Sequence, residues 1–148
     1  VKRFYPDQPV VGIGIVIVKD NKIVLIKRGN EPARGKWSIP GGLVELAEPL
    51  TEAVIREAKE ETLLDVDNPR LVDVVDQVDK DPAGKIRYHY VIIDYLVHVV
   101  SGEIGAATDA SELQWVPFAE VENYALTASF RRFFLNNRAK LEKENSYL

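Results

Sequence analysis

The chain contains no cysteine, so neither a disulfide framework nor a thiolate zinc site is open to it. That absence suits a reducing compartment, and the cytoplasm is the expected location. No apolar run approaches the roughly 18 residues of a membrane span, and no membrane partner is expected. The opening Val1-Lys2-Arg3-Phe4 leads into a turn and a strand, with no cleavable signal peptide visible. A surplus of positive charge is also missing. Against 19 Lys and Arg stand 23 Asp and Glu, a formal net charge of −4. Duplex-binding surfaces normally cluster Lys and Arg, so no nucleic-acid partner is expected. Repeats, low-complexity tracts and linkers are absent too.

What is present reads as globular. Apolar residues make up 46% of the chain and charged residues 28%. A length of 148 residues fits one domain over 1–148 and can bury a sizeable core. Residues 10–18 are mostly β-branched and predict a buried strand. Asp20-Asn21 supplies turn chemistry, and 22–27 predicts the returning strand of a hairpin. A polar stretch over 28–36 ends at Trp37-Ser38-Ile39-Pro40-Gly41-Gly42. The Ala-, Leu- and Glu-rich segment 49–64 predicts a helix, with Pro49 in its first turn. Strands are expected over 69–78 and 86–100, joined by a turn over 79–84, and again over 113–116. A closing helix over 127–143 can turn Phe130, Phe133, Phe134 and Leu141 to the core. Strands interleaved with two substantial helices imply an α/β fold, a mixed sheet covered on both faces.

The chemistry concentrates between Gly42 and Leu64. Successive helical residues rotate by about 100°, which brings Glu57, Glu60 and Glu61 into one sector of the helix. Val54, Ile55 and Ala58 fall beside that sector and can bury against the sheet. Three neighbouring carboxylates raise one another's pKa and weaken the helix. A divalent cation removes that penalty, and oxygen-only ligands favour magnesium or manganese over zinc. Taken alone the triplet is also what a solvated helix face looks like, with Arg56 pairing to Glu52 and Glu60 at i,i+4.

The longer pattern separates these readings. Gly42, Glu48, Arg56, Glu57, Glu60, Glu61 and Leu64 stand at the spacings G-x5-E-x7-R-E-U-x-E-E-x-G-U, where U is aliphatic. Ala58 is a small occupant of the aliphatic position. In this the sequence resembles the Nudix family, and the lead-in Trp37-Ser38-Ile39-Pro40-Gly41 is similar as well. One position departs: Leu63 stands where the family has its second glycine. Leucine there either adopts a left-handed backbone, at roughly 1 kcal/mol, or lets the helix run on.

The resemblance implies a Nudix-type α/β/α sandwich and a magnesium-dependent pyrophosphohydrolase, with manganese as a substitute. It implies Glu57 and Glu61 as principal metal ligands, with Glu60 supporting a second ion or orienting water. The Gly41 carbonyl is a further candidate ligand. Arg56 orients the glutamates and Glu48 buttresses the loop. From a later loop, Glu112, with Asp109 second, is the candidate general base or additional ligand; a solvated loop carboxylate explains either equally well. Arg28 and Arg34 flank the loop entering the site and are candidates to grip phosphate bidentately. His89 and His98 lie in a strand and take no role. Tyr88 and Tyr90 can stack on a base, yet a half-buried strand explains them without one.

Within the family the chain looks most similar to compact ADP-ribose pyrophosphatases, through 11–28, Gly35-Lys36-Trp37 and the long strand over 86–100. The expected substrate is a small nucleotide, ADP-ribose first, split into AMP and ribose 5-phosphate. Two alternatives stand beside it. One is a house-cleaning hydrolase of oxidised or non-standard nucleoside triphosphates. The other is a non-catalytic nucleotide-sensing module, which typically lacks the box glutamates retained here. Dimers are common in the ADP-ribose branch, which leaves room for a homodimer without fixing one.

Overall fold

A computed structural model describes residues 2–104 and 112–145. Its elements run β1 (Val10–Lys19), β2 (Lys22–Lys27), β3 (Trp37–Ser38), β4 (Gly41–Leu43) and α1 (Leu50–Thr62). They continue through β5 (Asp65–Lys80), β6 (Ile86–Ser101), β7 (Leu113–Pro117), a 3-10 turn (Phe118–Asn123) and α2 (Ala128–Asn145).

Among the described residues the strands join in one mixed sheet, ordered β3-β2-β1-β6-β5, with β4 added to β1 and β7 to β2. The β1–β6 pairing is parallel, Val10 to Ile17 against Tyr90 to Val97, and the other strand pairings are antiparallel. One side of β1 serves two partners. Its C-terminal end pairs with β2 at Val18 and Lys19, and its N-terminal end pairs with β4 at Gly12 to Gly14. The β1–β2 turn places Asp20 and Asn21 at φ 52° and 60°, a left-handed pair that these two residue types tolerate in a tight hairpin.

Side-chain alternation divides the core in two. Ile13, Ile15 and Ile17 face α1, where they meet Ala53, Val54 and Ala58. Val16, Val18 and Leu96 face α2, where they meet Phe130, Phe133, Phe134 and Leu141. The result is the α/β/α sandwich expected. No described helix is long and apolar enough to cross a membrane.

Several local expectations are corrected. Pro49 is the residue before α1, with extended backbone (φ −62°, ψ 145°), as suits a residue that cannot donate a backbone hydrogen bond. The helix buries Ala53 where Ile55 was expected, and Ile55 is exposed. Leu63 ends α1 in the left-handed conformation, φ 66°, and its N–H donates to Lys59 O at 3.1 Å. The strand expected over 69–78 begins at Asp65, because irregularities between Asp67 and Arg70 accommodate Asn68 and Pro69 on an edge strand.

Candidate active site

Strand β4 and helix α1 create the acidic wall of the site. Ile15 N–H donates to Pro40 O at 2.8 Å and Val44 N–H to Val11 O at 3.3 Å. The alternation of an antiparallel ladder therefore turns the peptide groups of Gly41 and Leu43 away from β1 and toward α1. Glu61 Oε2 accepts from Gly41 N–H at 2.8 Å, and the Leu43 carbonyl accepts from Arg56 Nη2 at 3.1 Å. The Gly41 carbonyl faces the same way as its N–H. A side chain at Gly42 would collide with the Glu57 carboxylate, so glycine is what lets this backbone lie against it.

Arg56 organises the glutamates. Its Nε and Nη2 reach the two oxygens of Glu48 at 2.7 and 2.9 Å. Its Nη1 donates to Glu57 at 2.8 Å and to Glu60 at 3.2 Å. The partner over eight residues is thus Glu48, and the expected Glu52 pairing gives way to this bidentate fork. Glu48 also accepts from the Glu45 N–H at 3.0 Å, closing the loop before the helix.

The electrostatics follow. Arg56 holds Glu48 down at about 2 and is itself raised by the same contact. Burial pushes the Glu57 carboxyl up, opposed by Arg56. Burial raises Glu61 to about 7, with the Glu57 and Glu60 charges adding and Gly41 N–H and Arg28 opposing. At Glu57 and Glu61 burial outweighs the nearby positive groups, a condition that a divalent cation relieves. The three are compensated separately in this structure: Glu57 and Glu60 by Arg56, Glu61 by Gly41. Among the described residues no three acidic, His or Cys side chains are grouped to hold an ion. The expected convergence is thus partial, because like charges spread toward whatever donors they can reach. As a donor set, hard oxygens on a partly desolvated helix face fit magnesium or manganese.

The wall borders a cleft of about 690 Å³, lined by Gly41, Gly42, Arg56, Glu57, Glu60 and Glu61 on one side. Arg28 lines it too. Its Nε donates to Pro32 O at 2.7 Å, and burial lowers its pKa. Two expectations lie elsewhere. Arg34 and Glu112 are exposed, and neither lines the cleft; Glu112 contributes its carbonyl to the Lys27 N–H at 2.9 Å. Asp109 lies outside the described residues. Of the strand residues given no firm role, Tyr90 lines the cleft, and His98 pairs on the surface with Asp67.

Sequence reasoning missed Arg3, Gln77, Asp94 and Ser129, all of which line the cleft. Arg3 carried no signal, since the N-terminal segment reaches the site only through tertiary packing; its Nε donates to Tyr90 Oη at 3.2 Å. Asp94 did carry one. A lone carboxylate within Val91-Ile92-Ile93-Asp94-Tyr95-Leu96-Val97 breaks an apolar strand, and buried acids are uncommon without a reason.

A NUDIX domain model matches residues 8–136. The chain is 43% identical over 107 residues to an ADP-ribose pyrophosphatase of Methanocaldococcus jannaschii, covering 72% of this chain and 61% of that protein. It therefore spans less than two thirds of that relative's length. A MutT NUDIX hydrolase from Burkholderia pseudomallei superposes with a TM-score of 0.75 at 38% identity, over 84% of this chain and 95% of that one. The NUDIX domain of Shewanella oneidensis NrtR, solved with ADP ribose, has the same fold (TM-score 0.75, 22% identity, 92% of this chain and 90% of that one). With the family model matching most of its length, the chain belongs to the Nudix family.

Proposed function

We propose that the protein is a magnesium-dependent pyrophosphohydrolase of a nucleoside diphosphate derivative, with ADP-ribose as the preferred substrate. The observation that carries this reading is the set Gly41, Gly42, Arg56, Glu57, Glu60 and Glu61 along one wall of a 690 Å³ cleft, a volume in the range of small-molecule sites. The 43% identical relative named ADP-ribose pyrophosphatase supports the choice of substrate.

Glu57, Glu61 and the Gly41 carbonyl would hold the cation, with Glu60 as the more exposed contributor; Glu57 and Glu60 would leave Arg56 to do so. Magnesium bound there supplies positive charge to phosphate oxygens and lowers the pKa of a water. The protein's own part is positional. Arg56 stays anchored to Glu48 and keeps the helix face registered on β4. Arg28, with its Nη groups bonded to no described residue, would grip a phosphate. A carboxylate of the wall would accept the proton of the attacking water. Products are AMP and ribose 5-phosphate.

The test is a substrate panel with magnesium: ADP-ribose, other sugar nucleotides, dinucleotides, and normal and oxidised nucleoside triphosphates, with products identified by mass. Preference for oxidised triphosphates would replace the first reading with the house-cleaning one. Binding without turnover on any substrate would make the protein a sensor. Glu57→Gln should cut turnover by orders of magnitude while the protein stays folded; near-normal activity with saturating metal would remove Glu57 from its role.

A further inference from the structure

Away from the acidic wall, the cleft has a second end with a different chemistry. Its floor is the α2-facing side of β1, β6 and β5, and its side is the first turns of α2. Ile39, Val75, Tyr90, Ile92 and Phe130 give it apolar and aromatic surface, with Arg3, Gln77 and Ser129 as polar neighbours. One acid lies in it. Asp94 is 2% exposed yet lines the cleft, and its carboxyl makes no hydrogen bond to any described residue.

The sheet is built to admit that carboxyl. Gly14 is its neighbour on β1, and a side chain there would collide with Asp94 Oδ1 and crowd Ile39. On the other side Asp94 pairs with Asp73 of β5. Burial, and then the charge of Asp73, raise its pKa to about 7, and no cation opposes them. A buried acid without a partner costs stability, so a fold that keeps one open to a cleft holds it ready for something else.

Position narrows what that is. Gly14 pairs with Gly41 on one side and with Asp94 on the other. Two strand spacings, roughly 10 Å, therefore separate the Asp94 backbone from strand β4 at the acidic wall. A nucleotide whose phosphates lie at β4 would carry its base into the apolar end. Flat apolar walls suit a heteroaromatic ring better than a second sugar. A carboxyl group offers an acceptor oxygen whether ionised or protonated, and when protonated it also donates. That matches the amino group and adjacent ring nitrogen of adenine.

Resting on the nucleotide-hydrolase reading above, we propose that Asp94 is a specificity-determining residue. Its carboxyl oxygen accepts a hydrogen bond from the exocyclic amino group of a purine base seated in the apolar end of the cleft. Sites that hydrogen-bond a substrate group reject analogues lacking it, because their own polar atom is then left unpaired.

The experiment is a cycle between protein and ligand. Calorimetry measures binding of AMP, and of the purine nucleotide lacking the 6-amino group, to wild type, Asp94→Leu, Asp94→Ala and Asp94→Asn, with magnesium present. Wild type should favour AMP by about tenfold or more. The Leu and Ala variants should bind the two ligands within about twofold of each other. The Asn variant, whose amide oxygen still accepts, should keep most of the preference. A wild type without preference, or a Leu or Ala variant that retains it, overturns the proposal. ADP-ribose turnover by wild type is read in parallel. Coupling through Asp94 without turnover removes the hydrolase reading and keeps this one, while turnover without coupling does the reverse.

Discussion

Arg56 and Glu48 form a two-pronged pair, with Nε to Oε2 at 2.7 Å and Nη2 to Oε1 at 2.9 Å. The guanidinium uses its remaining edge for Glu57 and Glu60. The helix that carries the acidic wall is thereby tied to the loop that precedes it.

This pair has a pH signature. Glu48 lies at about 2 in the folded protein, below its ordinary 4.5. A depressed carboxyl stabilises the fold above its unfolded value and loses that contribution as pH falls toward the folded one. The gap in melting temperature between wild type and Glu48→Gln should be widest at neutral pH and should narrow below about pH 5. A gap of constant width across a pH series of thermal melts would contradict the assignment.

Glycines 41 and 42 should fail differently. Ala at Gly42 meets the Glu57 carboxylate, a side chain able to shift. Gly42→Ala should therefore lower kcat/KM by roughly tenfold or more with little change in melting. Ala at Gly41 meets the Ile13 carbonyl, which belongs to the backbone. Gly41→Ala should destabilise the protein by roughly 1–3 kcal/mol in denaturant titration. Equal effects of the two on stability would refute the distinction.

Glu61 reverses the sign found for Glu48. Its folded value is raised from 4.5 to about 7. The protonated form is thus favoured by folding, and its contribution is complete below about pH 4.5 and lost as pH rises through about 7. In chelator, Glu61→Gln should be more stable than wild type at pH 8, by at most about 3 kcal/mol, and no more stable near pH 4.5. Magnesium should close most of that gap, stabilising wild type by about 2.7 kcal/mol at 100 times its dissociation constant. Melting curves indifferent to magnesium across a wide range would count against the cation site.

Leu63 offers a stabilising change. It caps α1 at φ 66° and is 44% exposed, so glycine would relieve backbone strain while sacrificing little burial. Leu63→Gly should raise stability by up to roughly 1 kcal/mol. A lower denaturant midpoint would show that the leucine side chain contributes more through contact than it loses through strain.

Much of this was legible in the chain itself, for physical reasons that differ by residue. The β-branched run at β1 and the Asp20-Asn21 turn specify a hairpin locally, and the box spacing marks the helix that bears Glu57, Glu60 and Glu61. Strands β3 and β4, two and three residues long, are too short to show a period of two. The buried side of α1 holds Ala53 in place of the expected Ile55, because Ala53 buries as readily once the sheet decides which side is covered. Arg28 and Arg34 looked alike in sequence; the loop folds only the first into the cleft. Asp94 stood out as a lone acid in an apolar strand, but its place beside Gly14 depended on the register between β1 and β6.

The arginine fork has a consequence for how the protein meets its surroundings. Because one internal cation already sits among Glu48, Glu57 and Glu60, a newly synthesised chain can reach its final shape in an ion-starved medium. On the proposed cation site, scarcity of divalent ions would silence turnover reversibly and leave the population of molecules intact for when supply returns.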